Sequence, residues 1–140
     1  MAWVRCSGGG KEPFNINNLK HAEATRGTKG TVSVQITLDA NKEYILVGNG
    51  SGNSAETYHG SNWSMSGSMN IPNTATILDT VISNNVTYTA TYGATQDHGG
   101  YSEHVYRVKT SAPTTITYSV SASSSYTECS SSATLVAIPV

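Results

Sequence analysis

Apolar and polar residues alternate with a period of two along most of this chain. Val32, Val34, Ile36 and Leu38 fall on one face of a predicted strand, and Ser33, Gln35 and Thr37 on the other. Trp63, Met65, Gly67, Met69 and Ile71 alternate in the same way with Ser64, Ser66, Ser68 and Asn70. Val86, Tyr88, Ala90 and Tyr92 alternate with threonines, and Ile116, Tyr118, Val120 and Ala122 with Thr117, Ser119 and Ser121. Further strands are predicted at Tyr44–Val47, Thr74–Ile82, Tyr101–Lys109 and Ala133–Val140. Asp39-Ala-Asn41, Pro72-Asn73, Asn84-Asn85 and Ala112-Pro113 mark turns between them. Thr115–Ala122 and Ala133–Val140, joined by a Ser-rich turn, read as a closing hairpin. Two longer stretches lose the period and are predicted as loops, residues 48–62 and Gly93–Gly100.

About eight short, regularly spaced strands predict an all-β fold. The expected architecture is a two-sheet antiparallel β-sandwich, jelly-roll-like. Residues 31–140 form the predicted sandwich domain, and residues 1–30 an N-terminal arm packed on it or extending from it. Leu19, Ala22 and Glu23 have helical spacing, so Asn17–Ala24 is predicted to make one or two helical turns. The final strand is apolar on both faces, with Leu135 and Ala137 on one and Val136, Ile138 and Val140 on the other. A strand of that kind is covered on both sides. Its second face needs either Trp3 and Val4 of the arm or another subunit, and the expectation is a homo-oligomer such as a trimer.

Composition strengthens the sheet reading. Ser and Thr make up about a quarter of the residues, and Thr, Val, Ile and Tyr suit a pleated, half-buried surface. Charged residues are 12% of the chain, with a net charge of −1, where about 25% charged is usual. A near-neutral, hydroxyl-covered surface has no electrostatic footprint for nucleic acid, and no apolar run has the length of a membrane span. Met1-Ala-Trp-Val-Arg5 lacks the apolar core of a secretory leader, so synthesis and first folding in a cytoplasm are expected. The glycosylation sequons at Asn49, Asn62 and Asn85 then carry no weight. Cys6 and Cys129 are far apart in sequence and outside any CxxC spacing, so two thiols are expected.

Candidate chemistry concentrates in Asp97-His98-Gly-Gly-Tyr-Ser-Glu103-His104. With Gly99–Ser102 as a hairpin loop, His98 would face Glu103 and Asp97 would face His104, on opposite sides of the ribbon. Each side then offers two ligands, one pair of which His59 could complete, where a stable zinc site needs three or four, and the spacing alone does not supply that set. No metal and no cofactor are expected on that count. No Gly-x-Ser-x-Gly elbow is present, and most carboxylates sit in predicted turns, so no enzyme is expected. The remaining chemistry is aromatic. Tyr58, His59 and Trp63 crowd the end of one predicted loop, while Asp97 and His98 lie in the other, flanked by Tyr92 and Tyr101. At one end of a sandwich the two loops would form an amide-rich aromatic patch suited to sugar rings, a carbohydrate-binding module being the alternative function and a small metal-dependent enzyme the next. Alternation assigns Tyr88, Tyr92, Tyr118 and Trp63 to the core, leaving Tyr58, His59 and Tyr101 for solvent.

The opening Met-Ala-Trp-Val-Arg-Cys-Ser-Gly-Gly-Gly, the Ser/Thr-rich β domain and the closing Leu-Val-Ala-Ile-Pro-Val together resemble small tail-associated structural proteins of phages and prophages of gut bacteria. The chain is also similar in style to the trimeric jelly-roll heads of fibre proteins. The resemblance implies a structural or adhesive, non-enzymatic role in a virion or appendage. It also implies oligomerisation and contact with cell-surface glycans. It transfers no residue set.

Overall fold

The computed structural model describes residues 18–56, 62–125 and 129–140. Its eight strands are β1 (Lys20–Arg26), β2 (Gly30–Leu38), β3 (Glu43–Glu56), β4 (Trp63–Asn70), β5 (Ala75–Tyr92), β6 (Thr95–Thr110), β7 (Thr114–Ser124) and β8 (Cys129–Pro139). They form two antiparallel sheets of order β1-β8-β3-β6-β5 and β2-β7-β4, called A and B below. This is the all-β sandwich that the alternation predicts. The winding is that of a jelly roll with one change: β5, which would lie beside β4 in sheet B, is paired with β6 in sheet A. The turn between them explains the move. Tyr92 pairs with Thr95 across a two-residue connection, and Gly93 takes φ +60 at its first position. A turn that tight holds its two strands in one sheet.

The core lies between the sheets and is built by alternation. Val32, Val34, Ile36 and Leu38 face Tyr44, Leu46, Val108, Leu135 and Ala137 across it, with Ile116, Tyr118 and Val120 at the centre of sheet B. Sheet B loses an outer neighbour when β5 goes to sheet A, so the edge of β4 faces β5 instead of pairing with it. One side chain fills the gap. Asn85 accepts the Gly67 N–H at 2.9 Å through Oδ1 and donates to the Gly67 carbonyl at 3.3 Å through Nδ2. A single amide thus imitates one rung of the missing ladder.

Several expectations need correcting. Residues 20–26 are an edge strand paired with β8, with Ala22 and Ala24 against the core, not helical turns. So short a helix has too little internal bonding to compete with an available sheet edge. Strand β3 continues through the stretch predicted as loop as far as Glu56. Asn84-Asn85 is not a turn, because β5 runs unbroken through it. The two C-terminal strands are not a hairpin either: β7 is the middle of sheet B and β8 lies in sheet A, so they stand in opposite sheets. The apolar outer face of β8 is as predicted. Val136 and Ile138 lie beside Val47 and Ile45 of β3 and are half-buried. Trp3, Val4 and Cys6 lie outside the described residues; Cys129 is buried at the start of β8.

Candidate functional site

At the end of the sandwich where β3 stops and β4 begins, Trp63 stacks on His98, with ring centroids 5.8 Å apart and planes 17° from parallel. The Trp63 indole donates to the Gly99 carbonyl at 3.1 Å, and the Thr89 hydroxyl lies 2.7 Å from His98 Nδ1. His98 is buried and Trp63 half-buried. These two predicted binding residues are therefore brought together, as a plug over the end of the core. Asp97 and Tyr101 go elsewhere. Strand β6 is continuous from Thr95 to Thr110, so there is no hairpin loop at Gly99–Ser102 and His98 does not face Glu103. Both glycines sit in the ladder, paired with Asn53 and Gly52 of β3. Alternation then puts His98, Ser102 and His104 inward and Asp97, Tyr101 and Glu103 outward. Among the described residues no three of His, Cys, Asp and Glu come together as metal ligands. Tyr58 and His59 lie outside the described residues.

A second cluster occupies the centre of the core. The Tyr118 hydroxyl is 2.6 Å from Ser102 Oγ and 2.8 Å from His104 Nδ1, and all three residues are buried. One arrangement satisfies all three groups: Ser102 donates to Tyr118, and Tyr118 donates to the unprotonated Nδ1 of a neutral His104. Burial lowers the His104 pKa from its ordinary 6.5. Burial also raises that of Tyr118 above 10.0, opposed by the Ser102 hydrogen bond. The network is closed to solvent, which suits it to hold the sheets in register rather than to catalyse. It also fixes how stability depends on pH. Below about pH 6.5 the unfolded chain takes up a proton at His104 that the folded chain resists, so stability falls as pH drops from there toward the depressed folded value. Above about pH 10 the unfolded chain loses the Tyr118 proton first, and stability falls again. Urea midpoints between pH 4 and 11 should trace this plateau, and His104→Gln should flatten the acid side.

The outer faces differ from each other. On sheet B, hydroxyls pair rung by rung between β2 and β7: Thr31 with Ser121 at 2.7 Å, Ser33 with Ser119 at 2.8 Å. A shallow hollow of about 400 Å³ lies on this face, bordered by Lys29, Thr31, Ser64, Ser66, Ser121 and Ser123. The outer face of sheet A has two halves. Toward the Glu43 end of β3 it carries an apolar row across four strands, Val136, Val47, Val105 and Ile82, bordered by the charged residues Arg107, Lys109, Glu43 and Asp79. Toward the Glu56 end it is polar, with a hollow of about 300 Å³ bordered by Thr25, Arg26, Ser51, Asn53, Ser130 and Ser132.

Strand β5 is the most exposed element. Only Ala75 of its 18 residues is buried, and it carries a single charge, Asp79. Val81 is 58% exposed, Tyr88 59% and Tyr92 66%, with Ile77, Leu78 and Ile82 also in solvent. Tyr88 and Tyr92 were expected in the core. Their alternation was read correctly as a strand, but this strand has no sheet over either face for most of its length.

Comparison with protein-family models, with curated proteins and with solved structures finds no match.

Two features escaped sequence reasoning although each left a signal. The Ser102–Tyr118–His104 network needs space at the centre of the core. Gly48, Gly50, Gly52 and Ser54 supply much of it by alternating along β3 with outward Asn49, Ser51 and Asn53. That period of two was present in a stretch read as a loop because its inward residues are small. The exposed β5 edge is announced by ten successive uncharged residues from Ser83 to Tyr92.

Proposed function

We propose that this chain is a non-enzymatic structural and adhesive subunit that assembles with copies of itself, in the setting of a phage or prophage tail appendage. The observation that carries the assembly reading is β5. It is the outer strand of sheet A, about 60 Å long at 3.3 Å per residue. Sheet edges that stay single are kept so by lysine, proline, short length or bulges. Strand β5 has no Lys or Pro. Its register shifts fall between Ile77 and Ile82, leaving Ser83–Tyr92 regular. An uncharged segment of that kind is complementary to a second copy of itself run antiparallel. The apolar row from Val136 to Ile82 leads to the same edge, so a second copy paired there continues that surface.

The mass of the full chain in solution tests the reading. Sedimentation at micromolar concentration should give an oligomer. Val81→Lys with Ile82→Lys should reduce it to a monomer with unchanged far-ultraviolet circular dichroism. A native chain that stays monomeric at high concentration overturns the proposal.

A further inference from the structure

The polar half of the outer face of sheet A has the composition of a sugar site. Two tyrosines stand beside the hollow there. Tyr101 is directly paired with Ser51, which is paired with Ser132, which is paired with Thr25. Tyr88 is paired with Gly99, next to Asn53 and then Ser130. These are two adjacent rungs on the same face, so each row runs from an exposed aromatic ring into the hydroxyl- and amide-lined hollow. Partners within a rung stand about 5 Å apart, and rungs on one face about 7 Å, close to the dimensions of a pyranose ring. The Tyr88 ring lies across Gly99, and Tyr101 is 42% exposed.

We infer that this surface, Tyr88 and Tyr101 beside the hollow of Ser51, Asn53, Ser130 and Ser132, binds a neutral oligosaccharide. The reading rests on the adhesive half of the function proposed above. The aromatic rings supply apolar faces for the C–H side of a sugar, as amphipathic tyrosine does at wet recognition surfaces. The polar groups are ordered in advance. Ser51 Oγ and Ser132 Oγ are 2.6 Å apart, and Ser130 donates to Asn53 Oδ1 at 2.5 Å. That bond uses the Asn53 amide oxygen and leaves its two N–H donors to serve a sugar hydroxyl. The charge at the border is mixed: Asp97 and Glu103 project from β6 on this face. Among the described residues the cation lining the hollow is Arg26, at its β1 side, with Nε donating to the carbonyls of Thr28 and Lys29. The two carboxylates stand instead on β6, the strand that carries Tyr101, so an anionic sugar stacked on the tyrosines would meet them, which favours a neutral one. The site differs from the predicted loop patch. It keeps Tyr101 and Asp97 but replaces Trp63 and His98, whose rings are engaged with each other, by Tyr88 and the β3–β8 hydroxyls.

The test is a glycan array probed with the full chain, followed by titration with maltotriose and chitotriose monitored through backbone amide resonances. Binding to neutral glycans is expected, with shifts centred on Ser51, Asn53, Gly99 and Tyr101. Tyr101→Ala and Tyr88→Ala should each weaken it about tenfold, the scale of one lost aromatic contact with its neighbours. Tyr92→Ala, four residues beyond Tyr88 at the end of β5, should leave it unchanged. The Val81→Lys, Ile82→Lys double variant should retain binding, because the site lies within one chain. That arm separates failure of the site from failure of the assembly reading. An array with no neutral glycan bound, together with no amide shift at millimolar trisaccharide, overturns the inference. So does binding that survives loss of both tyrosines.

Discussion

Tyr118→Ala should remove about 3–5 kcal/mol of stability, the range for a large aromatic deleted from a packed core. The side chain is fully buried at the middle of sheet B, and its ring fills the space left by Gly48 of β3. Domains of this size are stable by only about 5–15 kcal/mol, so the variant should lie close to its melting transition under ordinary conditions. Tyr118→Phe separates ring from hydroxyl. It keeps the packing but leaves Ser102 Oγ and His104 Nδ1 without the partner at 2.6 and 2.8 Å. An orphaned buried polar group costs about 1–3 kcal/mol. Equilibrium unfolding in urea gives both numbers, with the slope unchanged if only the folded state is affected. Equal losses for the two variants would mean that the polar network, not the ring, sustains this part of the core.

The contrast between what the sequence announces and what it conceals follows from the same region. Alternating Val, Ile and Thr identify β2 and β7 to within a residue or two, because their inward side chains are large enough to mark the period. Strand β3 was followed only as far as Val47, since its next inward residues are glycines and Ser54, which look like a flexible loop in one dimension. Only the opposite sheet, bringing Tyr118 and Met65 over them, explains why they are small. Strand β5 shows the reverse error. Its period is plain, but a period tells which residues share a face, not whether anything covers that face. Tyr88 and Tyr92 were therefore assigned inward when they point to solvent. The Asp97–His104 segment was legible as a cluster of chemistry and illegible as geometry. Two adjacent glycines suggest a turn, yet here they are rungs between β3 and β5, and that shift sends the histidines inward and the carboxylates outward. Pairing partners far away in sequence decide such cases, as with β5 itself, which a two-residue turn draws into sheet A.

Gly67→Ala should cost about 3 kcal/mol, at the upper part of the range for a single overpacked methyl. Gly67 sits on the inner face of β4, where an added Cβ would overlap Ser102 Oγ and come within 2.5 Å of the Tyr118 hydroxyl. Neither neighbour is free to give way, since each is bonded to the other. The backbone has little room to withdraw because Asn85 holds Gly67 through both its N–H and its carbonyl. Gly52→Ala provides the internal comparison. Its added Cβ would meet Met65 Sδ at 3.2 Å and the Ser130 backbone oxygen at 3.3 Å; methionine rearranges readily and the backbone contact needs only a small shift, so a loss of about 1 kcal/mol, well below that of Gly67→Ala, is expected. If the Gly67 penalty is steric, removing the obstructing hydroxyl should recover part of it. The Gly67→Ala, Ser102→Ala double variant should then be more stable than the sum of the single changes predicts, a coupling of the kind found between residues in contact. Strict additivity in urea melts would instead place the cost in the backbone of β4 and its single rung to Asn85.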